Sequence, residues 1–246
     1  MNFRVVIPAR YASTRLPGKV LLPIAGRPML AHVIDRARES GTEDIWVATD
    51  DARVYAAAEA AGARAAMTSA DHAAGSDRLA ELVARLEWPD DAIVVNLQGD
   101  EPLMPGSLIA QVASALAGAP DADIATACVP IHDAAEFENP NVVKVVRDQA
   151  GRALYFSRAP IPHRRDSVDG PPPAFRHLGI YAYRVGALAR FAAAPAGDLE
   201  RCESLEQLRA LAMGMRLLVV ESEQTPGPGV DTAEDLARVV ARLQPD

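Results

Sequence analysis

The sequence predicts an α/β protein: an open, mostly parallel sheet with helices on both faces. Two observations carry this expectation. Short apolar runs alternate with alanine-rich stretches of helical period through the first half of the chain, the pattern of βαβ units. Glycine and proline stand at the joints between them, where helices stop and start. A chain of 246 residues, 49% of them hydrophobic, can bury one large domain, or one domain with a smaller lobe.

The elements follow in order. Residues 3–7 (FRVVI), 45–48, 93–97 and 123–129 read as buried strands, being short apolar runs bounded by turn residues. Residues 28–39, 52–61, 77–86 and 105–117 read as helices. Pro28 and Pro105 are expected in first turns, and Gly41 and Gly62 as stop signals. Ser76 and Asp77 are expected to cap the third helix. After Asn139 the texture changes. Residues 142–146 and 153–156 read as strands around a DQAG turn, and 160–173 as a long proline-rich loop. Residues 176–184 read as a strand, 199–213 as a helix and 216–221 as a strand. Residues 232–243 close as a helix, with Thr232 as N-cap and Asp235 three residues on. A loop as long as 160–173 suits a lid or an interface segment.

A net charge of −8 argues against a nucleic-acid surface, which needs a broad basic face. Cys128 and Cys202 lie far apart without CxxC spacing, so two reduced thiols are expected rather than a disulfide or zinc site. The first residues show no basic region followed by an apolar one, and no apolar run reaches the ~20 residues of a membrane span. A cytoplasmic protein without membrane attachment is the expectation.

Residues 10–19, RYASTRLPGK, are a local basic island in this acidic chain. Such an island suits a small anionic ligand. It follows the first strand, at the carboxyl end where open sheets bind ligands. Arg10, Arg15 and Lys19 can face phosphates, Ser13 and Thr14 can donate hydroxyls, and Gly18 lets backbone N–H groups approach. The loop is not a Walker A motif: the first glycine is missing and Val20 stands where Ser or Thr should be. GxGxxG is also absent. Read alone, the stretch is equally a solvated basic turn.

IPARYASTRLPGK resembles the signature of the sugar-activating cytidylyltransferases, and more closely that of the 3-deoxy-D-manno-octulosonate (KDO) cytidylyltransferases. DHAAGSDR (71–78), NLQGDEP (96–102), NPNVVKVV (139–146) and YFSRAPIP (155–162) match that family's pattern in order. So do HLGIYAYR (177–184), ESLEQLRAL (203–211) and GVDTAEDL (229–236), and the likeness spans essentially the whole chain. It implies a Rossmann-like fold of the nucleotide-diphospho-sugar transferase type. Residues 1–246 would form one cytidylyltransferase domain, in which roughly 132–190 make a smaller lobe with the sugar site and a dimer surface. The implied reaction joins CTP to KDO, giving CMP-KDO for the lipopolysaccharide inner core and releasing pyrophosphate. The anomeric hydroxyl would attack the α-phosphate in line, with Mg2+ as cofactor, in a homodimer.

The resemblance also implies residue roles. Arg10, Lys19 and Asp100 would be catalytic. Pro8, Ala9, Arg10, Ser13, Arg15, Lys19, Gly75, Arg78 and Gln98 would hold the nucleotide. Arg158, His177, Tyr181, Glu206 and Gln207 would hold the sugar, with Arg158 facing its carboxylate. Asp100 and Asp231 would hold the metal. The residues read by themselves carry part of this. A GDEP turn ending an apolar run is a costly place for carboxylates unless something binds there. Asp231 alone is an ordinary residue before a helix, favoured by the dipole. Glu206 and Gln207 alone are a solvated pair beside the stripe Leu205, Leu208, Leu211. In a strand His177 and Tyr181 stand about 13 Å apart, so they could bracket a long sugar, with Gly179 leaving room between them. His72 reads as a loop histidine. Without GxSxG or a Cys–His context, direct displacement is expected, and no general base stands out.

Other readings are a cytidylyltransferase for sialic acid or for an amino analogue of KDO, and a non-catalytic nucleotide-binding regulatory module. The last would be expected to lose its metal carboxylates, yet both aspartates are present.

Overall fold

The computed structural model of the chain describes residues 2–13, 15–72, 74–166 and 170–243. Its first half runs β1 (Arg4–Pro8), the short strands β2 (Pro23–Ile24) and β3 (Arg27–Pro28), α1 (Met29–Glu39), β4 (Ile45–Thr49), α2 (Ala52–Ala60), β5 (Arg64–Met67), α3 (Gly75–Arg85), β6 (Ile93–Asn96) and α4 (Gly106–Gly118). The second half runs β7 (Ile124–Ile131), α5 (Ala134–Glu138), β8 (Lys144–Arg147), β9 (Ala153–Ser157), β10 (Ala174–Arg184), α6 (Val185–Ala193), α7 (Asp198–Glu203), α8 (Gln207–Ala212), β11 (Leu217–Glu221) and α9 (Ala233–Leu243). The main sheet has the order β11-β7-β10-β6-β1-β4-β5. Its pairings are parallel except those of β10, which is antiparallel to both β6 and β7. The hairpin β8–β9 hangs from β10. The expected α/β class, with a mostly parallel sheet, is the observed one.

Strand alternation divides the core into two layers. Val5 and Ile7 of β1 pack with Leu30, Val33 and Ile34 of α1 and Leu108, Ile109 and Val112 of α4. Val6 points the other way, to Leu79 and Leu82 of α3 and Leu188 and Phe191 of α6. Both faces are therefore covered, which is why the central strands read as unbroken apolar runs. Each such fully buried aliphatic side chain contributes roughly 1.5–3 kcal/mol.

Helix ends follow local chemistry. Gly41 (φ 86°) and Gly62 (φ 77°) take the left-handed conformation just past α1 and α2, as stop signals do. Pro28 and Pro105 sit at N-caps, one place before the first turn expected for them. Thr232 and Asp235 form a capping box: Asp235 N–H donates to Thr232 Oγ1 at 3.2 Å and Thr232 N–H to Asp235 Oδ2 at 2.8 Å. Gly106 opens α4 hard against the end of α1. A Cβ there would lie 2.5 Å from Glu39 Cβ and 2.7 Å from the Glu39 carbonyl carbon. Gly106→Ala should therefore destabilise the chain by about 1–3 kcal/mol through overpacking. A lower urea midpoint at unchanged slope is the expected reading.

Several elements differ from expectation. The helix expected over 199–213 is broken: α7 ends at Ser204, in the left-handed region (φ 52°), and α8 starts anew after Glu206. The break turns Leu205 and Gln207 inward, both buried. β5, α5 and α6 were not expected. β5 (RAAM) has no β-branched residue, α5 is a single turn or so, and α6 follows β10 with no intervening turn residues.

Candidate active site

β1 and β6 are neighbours, with Val6 opposite Asn96. Their following loops therefore leave the sheet side by side at its carboxyl edge, where open α/β sheets place ligands. The segment before α9 joins them: Val230 N–H donates to Asp100 O at 2.9 Å. The basic loop closes on itself, with Gly18 N–H donating to Tyr11 O at 2.9 Å. The Arg53 guanidinium lies 3.4 Å from the Tyr11 ring centroid. Gly18 has φ 68°, and a Cβ there would meet the Tyr11 ring at 2.9 Å. Only glycine suits that position on both counts.

A cavity of about 240 Å³ opens between these loops. Pro8, Ala9, Arg10, Ser13, Arg15, Lys19, Gly75, Arg78, Gln98, Asp100 and Asp231 all line it. The structure thus gathers every residue expected at the nucleotide or the metal. Thr14 lies outside the described residues. Arg10 is exposed and makes no hydrogen bond or ion pair among the described residues. Arg15 pairs with Asp231 at 2.9 Å. Arg78 is buried and anchored to Thr68 Oγ1 (2.5 Å), Ser69 O (3.1 Å) and Asp50 Oδ2 (3.1 Å). Gln98 Nε2 donates to Asn96 Oδ1 at 3.3 Å. His72 lines the same cavity, its Nε2 2.6 Å from Glu81 Oε2; as a loop histidine it carried no signal of this.

Lys19 stands between the two aspartates. Its ammonium donates to Asp100 Oδ2 at 2.5 Å, Asp231 Oδ1 at 3.1 Å and Val230 O at 3.1 Å. Burial lowers its pKa, but the attraction and hydrogen bonds of Asp100 and then Asp231 outweigh this and leave it raised. Beside them, burial and then the charges of Asp100 and Asp231 push the Glu101 carboxyl up to about 8. At neutral pH Glu101 is therefore mostly protonated, and a neutral carboxyl is the weaker metal ligand.

A second cavity has a volume of about 970 Å³. His177, Gly179, Tyr181 and Gln207 line it, with Glu101, residues 141–143 and Leu205. Whatever their spacing along the strand, the rings of His177 and Tyr181 lie close together, with centroids 5.4 Å apart. The pairing of β10 with β7 shifts register between Leu178 and Tyr181, a bulge inside this stretch. Thr126 Oγ1 lies 2.7 Å from Ile180 O and 2.9 Å from His177 Nε2. The hydroxyl has one hydrogen, directed at the carbonyl, so His177 Nε2–H is the donor and Nδ1 keeps its lone pair. Burial pushes the His177 pKa down to about 3, which keeps the ring neutral. Gln207 is buried and makes no side-chain hydrogen bond among the described residues.

Glu206 and Arg158 line neither cavity. Glu206 accepts from Ser76 Oγ at 2.9 Å and Arg209 Nη2 at 3.4 Å. The Arg158 guanidinium is spent on the carbonyls of Glu203 (2.7 Å), Pro140 (3.1 Å) and Ser204 (3.4 Å). The cations along the second cavity are instead Arg176, Arg238 and Arg242. Sequence reasoning missed them because Arg176 stands alone on β10, and Arg238 and Arg242, one turn apart on α9, belong to no motif.

A family profile described as Cytidylyltransferase matches residues 4–217. The chain is 56% identical, over 97% of its length and 96% of the relative's, to a 3-deoxy-manno-octulosonate cytidylyltransferase of Hahella chejuensis (strain KCTC 2396). The chain belongs to the 3-deoxy-manno-octulosonate cytidylyltransferases. A cytidylyltransferase of the same name from Cellvibrio japonicus (strain Ueda107) is 54% identical over 99% of both chains. A solved structure of CMP:2-keto-3-deoxy-manno-octonic acid synthetase, complexed with CTP, superposes with a TM-score of 0.92 at 43% identity, covering 99% of this chain and 98% of that one. A cytidylyltransferase from Leptospira borgpetersenii, at 18% identity and a TM-score of 0.60, shares the fold.

Proposed function

We infer that the chain transfers the cytidylyl group of CTP to KDO, forming CMP-KDO, the sugar donor for the lipopolysaccharide inner core, and releasing pyrophosphate. One observation carries this reading beyond family membership: a single turn serves both cavities. Asp100 lines the first and its chain neighbour Glu101 the second. This supports a nucleotide in the first and a sugar in the second, with the transfer between them at that turn.

Displacement at phosphorus needs positioning and charge stabilisation above all. Arg10, Arg15 and Lys19 face the triphosphate and the departing pyrophosphate. Arg78 and Gln98, with the backbone at Gly75, form the wall for the base. Gln207, His177 and Tyr181 meet the sugar's hydroxyls; the unpartnered amide of Gln207 supports its place there. The new bond forms from the anomeric oxygen to the α-phosphorus as the bond to pyrophosphate breaks. Glu206 and Arg158 act one layer back, through Ser76 and the carbonyls they bind.

The residues fit Mg2+. Two carboxylates, Asp100 and Asp231, converge on one cation at the cavity edge, and hard oxygens are what Mg2+ takes. Among the described residues no cluster of three or more ligating side chains forms a closed cage, which suits an ion completed by substrate oxygens and water. When bound, it would neutralise charge on the phosphate oxygens. Cytoplasmic location and a homodimer formed through the lobe around β8–β9 belong to the same proposal. Among the described residues no helix is long and apolar enough to cross a membrane.

The test is pyrophosphate release over a matrix of CTP, UTP, KDO and sialic acid. Release with CTP and KDO is expected; release with CTP and sialic acid but not KDO would overturn the sugar assignment. Two variants test the division between cavities. Gln207→Ala should weaken the apparent affinity for KDO by about 1 kcal/mol or somewhat more, with little change for CTP. Arg15→Ala should do the reverse.

A further inference from the structure

Lys144 opens β8, and its side chain is fully buried. Its ammonium donates to the carbonyls of Asn139 at 2.9 Å, Val142 at 2.7 Å and Arg158 at 2.7 Å. It forms no ion pair among the described residues. A buried charge is costly unless its hydrogen-bonding groups are used, and here all are. An ammonium has three N–H groups, and each meets one carbonyl. A neutral amine has only two, so only the charged form fills all three carbonyls. Burial lowers the pKa of Lys144 from the ordinary lysine value, and the charges of Glu138 and Glu203 act against that drop.

The carbonyls belong to two separate stretches. Asn139 and Val142 bracket the turn into β8, and residues 141–143 line the second cavity. Arg158 follows β9, where the proline-rich loop begins. It extends the brace to a third stretch. Arg158 N–H donates to Glu203 Oε2 at 2.8 Å, Ser157 Oγ to Glu203 Oε1 at 2.6 Å, and the Arg158 guanidinium to Pro140 O at 3.1 Å. Just beyond Glu203 come Leu205 and Gln207, which line the same cavity. One ammonium thus stands where three stretches of the cavity wall are joined.

We propose that Lys144 is a positioning residue for the sugar half of the reaction, holding residues 141–143 and, through Arg158, the Leu205–Gln207 edge at the spacing the sugar needs. The proposal rests on the reading of the second cavity as the sugar's site. Lys144 lines neither cavity, so it acts through the carbonyls it binds and touches no substrate.

The test is steady-state kinetics of the full chain with CTP and KDO varied separately. Lys144→Met keeps an unbranched stem one atom shorter and removes all three donors; Lys144→Gln keeps two. In the Met variant the KM for KDO should rise about tenfold or more, and less in the Gln variant. The KM for CTP should stay within about twofold, and kcat at saturating KDO should fall less than the KM rises. Should the Met variant prove insoluble, the Gln variant supports the same comparison. A folded variant in which both KM values move equally, or neither moves, overturns the proposal and leaves the sugar-site reading standing. Absence of KDO turnover by the wild-type chain overturns that reading, and the proposal with it.

Discussion

Asp100→Asn should lower turnover by about 10²-fold or more, the scale of losing a donor that acts on transition-state charge. Asp231→Asn is expected to do the same. Asparagine keeps the shape of each side chain and removes its charge. Both carboxylates bind Lys19 (2.5 and 3.1 Å) at the edge of the nucleotide cavity, so neither loss can be covered by the other. Glu101 is the weaker substitute: it lines the other cavity, and burial and then the charges of Asp100 and Asp231 push its carboxyl pKa up to about 8. The measurement is pyrophosphate release at saturating CTP and KDO, titrated with Mg2+. Near-normal turnover in Asp231→Asn would remove that residue from the metal site and leave Arg15 as its main partner.

Lys19→Met should cost turnover on a similar scale, about 10²-fold, since its charge is needed most as pyrophosphate departs. It should also change how the protein responds to Mg2+. With the ammonium gone, Asp100 and Asp231 face one another without their shared cation. Asp231 keeps Arg15 at 2.9 Å, whereas Asp100 is left without an ion-pair partner among the described residues, at a cost of about 1–3 kcal/mol, and each kcal/mol lowers Tm by about 2–4 °C in a chain of this size. A divalent cation offered to that pair now meets no competing ammonium. Mg2+ should therefore raise the Tm of Lys19→Met by more than it raises that of the wild type. Equal shifts in the two proteins would show that the ammonium and the ion do not share the carboxylates.

The legibility of the site varied by segment, for physical reasons. The basic loop stood out because its cations, hydroxyls and Pro-Gly turn lie within one short stretch at the end of a strand, while its role came from the resemblance. Asp100 was readable for a similar reason: a carboxylate capping a buried strand is expensive without a ligand. Asp231 looked ordinary, because its partners Lys19 and Asp100 lie far away in sequence. Arg158 looked like a sugar ligand by resemblance. The structure spends its guanidinium on three carbonyls, a use that leaves no trace in residue type.

The sequence by itself determined the class of fold, the edges of most elements and the place of the basic loop after the first strand. Those depend on local periodicity, on caps such as Thr232 with Asp235, and on glycines past helix ends, all set by neighbours within a few residues. Tertiary structure alone decided where β10 goes. It enters antiparallel between β6 and β7, and a period of two does not encode a strand's direction or partner. Its register shifts between Leu178 and Tyr181, in the stretch where the His177 and Tyr181 rings come to 5.4 Å, centroid to centroid. The broken helix at Ser204 and the carbonyl cage of Lys144 arise in the same way. Each depends on groups brought together by packing between distant segments, and packing energies act across space without regard to sequence separation.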